Sequence, residues 1–216
     1  MRKTILLIFG FCAFGYAQEN IDAELFLNKV SENIKSYDNI YINYAYTLKN
    51  LEEDIDVTNN GSFVTENDKW RFEMLGATSI FDGDKLYTII PDDYEVTVSS
   101  QDPEDETTIT PNKILYFYED GYYFEMSESK LIGNGKFRKK IQYVKLIPKD
   151  SDAEIKYILL GIDTEFNQIY EVIETGKNET VTTISIVDFE FNLPLDANLF
   201  VYDKEKYKDY YMNILD

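Results

Sequence analysis

The spacing of apolar positions changes once near the start of the chain and then holds almost to its end. Residues 20–37, NIDAELFLNKVSENIKSY, place Phe26, Val30, Ile34 and Tyr37 at i, i+4, i+8 and i+11, with Leu27 beside them. That spacing predicts an amphipathic helix, capped by Asn20 or Asp22 and ended by Asp38–Asn39. From Asn39 the period drops to two. Ile40, Ile42, Tyr44, Tyr46 and Leu48 alternate with Tyr41, Asn43, Ala45, Thr47 and Lys49, as in a long strand. The same alternation returns in GSFVTE, DKWRFEML, ATSIF, FRKKIQYVKLIP, EIKYILLGID, QIYEVIET and ETVTTISIVDFEF. Short turns at Pro148–Asp152, Asp163–Asn167 and Gly176–Asn178 separate the later segments. The pattern predicts about ten or eleven strands in an antiparallel meander, too many to stay flat, and therefore curled toward a barrel.

Two stretches complicate that picture. FDGDKLYTIIPDDYEVTV, residues 81–98, reads as three strands with a type I′ hairpin signal at Asp82–Gly83 and a second turn at Pro91–Asp93. In its middle strand Leu86, Thr88 and Ile90 alternate with Tyr87 and Ile89, so both faces are largely apolar, whereas a half-solvated sheet keeps one polar face. Each face needs a cover. The second stretch follows an acidic loop, QDPEDETT: Thr110 and Pro111 form a helix start, Ile114 to Tyr118 are apolar or aromatic, and Gly121 can end the segment. A short greasy helix between two halves of a sheet is expected to act as a plug or lid.

The first residues belong to a different class of signal. Arg2 and Lys3 precede the apolar run Ile5–Phe14, and Gly15 and Ala17 are the small residues of an export cleavage site. The expected organisation is a signal peptide over 1–17 and one domain over 18–216, with an uncleaved anchor or a lipid-modified Cys12 as alternatives. Cys12 is the chain's one cysteine, so the mature protein holds no disulfide and depends on its core. The expected compartment is the periplasm of a bacterial envelope.

With 40 acidic against 21 basic residues the net charge is −19, which repels nucleic acid and anionic lipid surfaces. The chain has no histidine, which removes Ser-His and Cys-His nucleophile pairs and histidine metal sites. Phosphate-cradling glycine loops are missing too. Asp54, Asp56 and Thr58 begin like a calcium loop, but Asn59 stands where the turn glycine belongs and Thr65 where the closing glutamate does. The expectation is no enzyme, no cofactor and no metal. Aromatics are abundant instead, with 18 Tyr and 14 Phe, and Trp70, Phe72 and Met74 share one face of a strand. Ordinary core packing accounts for any one of them; a sheet this large closed by two apolar helices either packs solid or encloses a cavity.

Across most of the chain the motifs SYDNI, YAYTL, DKWRFEM, FDGDKLYTIIPDDYEVTV, TPNKIL, VKLIPKD and LPLDANLFVYDKEKY occur in an order and spacing that resembles the LolA family of periplasmic outer-membrane lipoprotein carriers. The resemblance implies a mainly β fold: an incomplete, strongly curved antiparallel barrel, covered by the N-terminal helix and the short inserted lid. It also implies a monomer that takes acylated lipoproteins from an inner-membrane ABC-type exporter, shields their acyl chains and delivers them to an outer-membrane acceptor. A lipid- or lipoprotein-sensing module of the envelope with the same half-barrel is the alternative. The acyl-binding set so implied is Tyr46, Phe63, Trp70, Phe72, Met74, Ile80, Leu86, Ile90 and Val96. The lid would comprise Ile114, Leu115, Phe117 and Tyr118, with Arg71 of WRF matching the family's lid-contacting arginine. This chain departs from the family in its acidity and in its tail beyond Phe200.

Overall fold

The computed structural model describes residues 12–100, 110, 114–135 and 138–215, with side chains from residue 22 onward. Most of the expected leader, the acidic loop and Pro111 lie outside the described residues. Helix α1 (Cys12–Lys35) begins well before Asn20 and leads into one sheet of twelve strands. These are β1 (Asn39–Asn50), β2 (Ile55–Glu66), β3 (Lys69–Met74), β4 (Ala77–Phe81), β5 (Lys85–Ile90) and β6 (Glu95–Ser100). They continue with β7 (Tyr122–Ile132), β8 (Lys139–Pro148), β9 (Ile155–Asp163), β10 (Gln168–Gly176), β11 (Val181–Phe191) and β12 (Tyr211–Leu215).

The spatial order is β12-β6-β5-β4-β3-β2-β1-β11-β10-β9-β8-β7. Two meanders, β2 to β6 and β7 to β11, are sewn together by β1, which pairs antiparallel with both β2 and β11. The edge strands β7 and β12 do not pair with each other, so the curved sheet stays open as a half-barrel. Register shifts at Asn43/Tyr44 and Met126/Ser129 mark bulges, which sharpen the bend of a sheet. The tail supplies what the alternation did not foretell: β12 runs parallel to β6, the one parallel pair among the described strands.

Register decides which residues share a face. Phe63 lies opposite Ile42 and Phe72, and Trp70 opposite Phe81. Together with Ala23, Leu27, Val30 and Ile34 of α1 these build the core of the concave side. The buried stripe of α1 is therefore rotated from the expected one, with Phe26 at its margin. Asn33 fixes the helix end, its side-chain amide donating to the carbonyls of Phe166 (2.8 Å) and Asn167 (3.2 Å) in the β9–β10 turn.

The convex side carries the row Val64, Arg71, Ile80, Tyr87 and Val98. There Ile80, Ile89 and Val96 are fully buried under Tyr202, with Tyr207 and Tyr210 packed alongside. Tyr87 stacks on Tyr202 at 4.7 Å, and Tyr202 on Tyr207 at 5.7 Å. The double apolar character of residues 81–98 is thus explained: one face turns to the concave core and the tail straps the other. The turn before β5 also differs in detail. Gly83 has φ of 100° while Asp82 and Asp84 are not left-handed, so the turn is not I′, and Asp82 Oδ1 accepts from the amides of Asp84 and Lys85.

Candidate functional site

The concave face is not filled to the brim. β6 and β7 stand near opposite ends of the sheet, so the segment joining them has to cross the open side. Its described part, residues 114–119, begins with helical Ile114 and Leu115 and lies against the concave core. Between it and the sheet is a cavity of about 410 Å³, within the range of roughly 300–1,000 Å³ usual for small-ligand sites. Ile42, Tyr44, Phe63, Ile158 and Ile169 form its buried floor; Tyr46, Phe72, Met74, Val172, Ile184 and Ile186 form half-buried walls. Ile114, Leu115 and Phe117 close it from above.

Tyr44 is set into the floor by a missing side chain. Its hydroxyl donates to the Glu73 carbonyl oxygen at 3.0 Å, and its ring passes over Gly61, its cross-strand partner. A Cβ at Gly61 would run into both the Tyr44 hydroxyl and the Glu73 carbonyl oxygen. Burial, helped by the charge of Glu73, pushes the Tyr44 phenol up to about 12, so it stays a neutral donor. The crossing segment is pinned to α1 rather than loose. Ser31 donates to the buried Tyr118 hydroxyl at 3.1 Å, and Lys35 bonds Glu119 at 2.7 Å and sits over the Tyr116 ring.

Among the described lining residues one is charged. Glu174 on β10 faces the cavity between Ile158 and Thr182 of the neighbouring strands. It makes no hydrogen bond or ion pair among the described residues. Burial raises its carboxyl above the ordinary value of 4.5, and its charge in turn adds to the burial that raises the Tyr122 phenol. A carboxyl that titrates higher in the folded than in the unfolded state stabilises the fold most below its unfolded value, and that contribution is lost as pH rises through the folded value. Glu174→Gln is therefore expected to stabilise the empty protein at neutral pH, with the gain vanishing by about pH 4. Urea unfolding at the two pH values checks this.

The sequence-derived candidates divide cleanly. Tyr46, Phe63, Phe72 and Met74 come together in the cavity wall with Ile114, Leu115 and Phe117. Trp70 is 2% exposed and packs deeper in the same core, and Leu86 lies against that core outside the cavity. Ile90 shares the concave parity of Leu86 and does not line the cavity. Ile80 and Val96 are on the convex face under the tyrosine strap, because strand alternation puts them opposite to Leu86. Tyr118 anchors the crossing segment to α1 instead of facing the cavity. Arg71 is also convex, its guanidinium bonded to Glu73 at 2.6 Å, and does not touch residues 114–119. Asp56 and Thr58 of the calcium-like string are strand residues whose side chains bond Lys49 and Thr47. Glu174 escaped the sequence reading; its signal is a carboxylate two positions after Val172 on the same strand face.

No known family model matches the sequence, and no curated protein matches it. Solved structures do match. An uncharacterized conserved protein from Thermus thermophilus superposes with a TM-score of 0.54 at 11% identity, over 90% of this chain and 99% of that one, which shows a shared fold. At smaller overlap the matches include a LolA superfamily protein from Nitrosomonas europaea, with a TM-score of 0.41 and 12% identity over 84% of this chain and 98% of that one. LprF from Mycobacterium bovis gives a TM-score of 0.45 at 11% identity over 82% and 95% of the two chains. Among the described residues no helix is long and apolar enough to cross a membrane.

Proposed function

We propose that this protein is a carrier of the cell envelope that shelters the acyl chains of lipoproteins in its concave cavity and moves them across the periplasm from the inner to the outer membrane. The observation that carries this reading is an open cavity lined almost wholly by aliphatic and aromatic side chains, beneath a cover whose described residues bond α1 through Ser31–Tyr118 and Lys35–Glu119. Each methylene taken from water is worth about 0.8 kcal/mol. A neutral hydrogen bond such as Ser31–Tyr118 contributes about 1 kcal/mol, and an exposed ion pair such as Lys35–Glu119 less than about 1 kcal/mol. Release of the cover also uncovers Leu115 and the Tyr118 ring, at about 1.5–3 kcal/mol each, so sheltering roughly ten methylenes, fewer than one long acyl chain carries, offsets it. A cavity near the small end of the usual range also gives the cover a reason to move when more than one chain enters. The exporter and acceptor at the two membranes follow from the sequence resemblance.

The test is a handover assay with a labelled lipoprotein and outer-membrane acceptor, run beside hydrogen exchange over residues 110–121. Loading is expected to speed exchange in that segment and transfer is expected to follow. Unchanged exchange would remove the moving cover. Retention of lipoprotein with a stable protein partner and no transfer would replace carriage with sensing.

A further inference from the structure

Glu174 is the one charged group among the described lining residues of the cavity, and a hydrocarbon ligand offers it no partner. A half-buried carboxylate set among Ile158, Val172 and Ile184 loses hydration without gaining a partner. The lysines near that end of the sheet do not relieve it. Lys156 bonds Glu179 at 3.0 Å, Lys177 bonds the Ser151 carbonyl at 2.8 Å, and Lys149 reaches Asp120 at 3.5 Å. The Tyr122 hydroxyl, near enough to feel the Glu174 charge, is likewise without a hydrogen-bond partner among the described residues. Both groups are half-buried, while Ile42, Phe63 and Ile158 of the floor are buried. A chain whose hydrocarbon covers that floor can set its polar end against Glu174 and Tyr122, which line the same cavity.

We infer that Glu174 and Tyr122 form a head-group receptor that selects amphiphiles whose apolar chain ends in an ammonium group. This rests on the acyl-chain reading of the cavity and adds a cargo class to it. An ammonium supplies what the carboxylate lacks: a charge of opposite sign and up to three donors, one of which the Tyr122 oxygen can accept. An anionic head would meet Glu174 directly, in a protein that already carries a net charge of −19. A neutral head would leave the carboxylate unpaired. Two natural sources share this chemistry: the free α-amino group of a lipopeptide acylated on its cysteine glyceride but not on its nitrogen, and the head of an aminophospholipid.

The experiment uses the full chain at about pH 8, where a primary alkylamine is protonated. Dodecylamine, 1-dodecanol and dodecanoate, below their micelle concentrations, compete for a fluorescent probe of apolar sites. The wild type is expected to bind dodecylammonium about tenfold tighter than dodecanol, and Glu174→Gln to bring that ratio to about one. Thermal melts confirm that the variant is folded. Equal wild-type affinities, or a preference that survives Glu174→Gln, would overturn the receptor while leaving the acyl-chain reading intact. Failure of all three ligands to bind would overturn both. A second arm compares a diacylated lipopeptide bearing a free amine with its N-acylated counterpart and with dioctanoyl phosphatidylethanolamine. Tighter binding of the free-amine lipopeptide assigns the receptor to lipoproteins, and tighter binding of the phospholipid assigns it to membrane lipid. If the amide-blocked lipopeptide binds as tightly as the free amine, the ammonium preference is overturned.

Discussion

Phe72→Glu is expected to abolish acyl-chain binding in a protein that still folds, whereas Phe63→Glu, its cross-strand neighbour, is expected to unfold it. The two side chains sit in register on the concave face and both line the cavity. They differ in what surrounds them. Phe63 is 1% exposed and belongs to the sealed floor, where an unpaired carboxylate costs several kcal/mol out of a total stability of about 5–15 kcal/mol. Phe72 is half-buried, stacks against Tyr44 at 6.0 Å, and borders the open volume. A carboxylate there keeps water, and that water occupies the space a hydrocarbon chain needs. Circular dichroism melts and binding of a fluorescent fatty-acid analogue separate the outcomes. A Phe72→Glu protein that fails to melt cooperatively would show that the cavity behaves as solid core. One that folds and binds normally would place the chains elsewhere.

Gly61→Ala is expected to lower stability by about 2–3 kcal/mol, the upper part of the roughly 1–3 kcal/mol usual for overpacking a site with no give. For a chain of this size that is a fall in Tm of about 4–12 °C. The reason is local and can be checked by a second substitution. The added methyl meets the Tyr44 hydroxyl and the Glu73 carbonyl oxygen, and the carbonyl belongs to β3, paired to β2 at Ser62 opposite Glu73. The backbone cannot retreat without breaking that pairing, so the Tyr44 ring has to swing and lose its bond to Glu73. Tyr44→Ala, which is itself destabilising, should then absorb the part of the Gly61→Ala penalty that comes from the ring, while the contact with the Glu73 carbonyl oxygen remains. The double variant should fall short of additivity by about 1 kcal/mol or more. Full additivity would show that the ring and the glycine are not in conflict.

The strands were legible because one face of each reads apolar over a long run. In β1 the series Ile40, Ile42, Tyr44 is buried at every second position, as its period requires. Alternation failed where both faces are apolar. In β4 to β6 it could not tell Leu86, which turns to the concave core, from Ile80 and Val96, which the tail covers. The cover itself was hidden, since Tyr202, Tyr207 and Tyr210 lie in a run of short turns with no repeating period. Arg71 follows from the same rule read correctly: a residue between Trp70 and Phe72 on a strand points away from both. Glu174 was obscured by the register shift between Ile169 and Glu171, which changes parity midway along β10. Sequence alone offers no reason to choose it over Glu171, whose carboxylate turns outward to the Tyr143 hydroxyl.

The seam between β1 and β11 also bears on how the chain reaches this state. Each meander is assembled from neighbours joined by short turns, and such hairpins close in about 1–10 μs. The seam is different: Ile40 has to find Phe191, and Lys49 has to find Val181, with both meanders lying between them in the chain. Loop closure of that length is entropically costly before any contact rewards it, and sheets rich in such pairings fold in about milliseconds to seconds. The cavity draws its walls from both sides of the seam, with Phe72 and Met74 on one and Val172 and Glu174 on the other. A nascent chain therefore has no cavity until β11 has arrived, and any ligand of the cavity can be engaged only by a molecule in which that last meeting has already taken place.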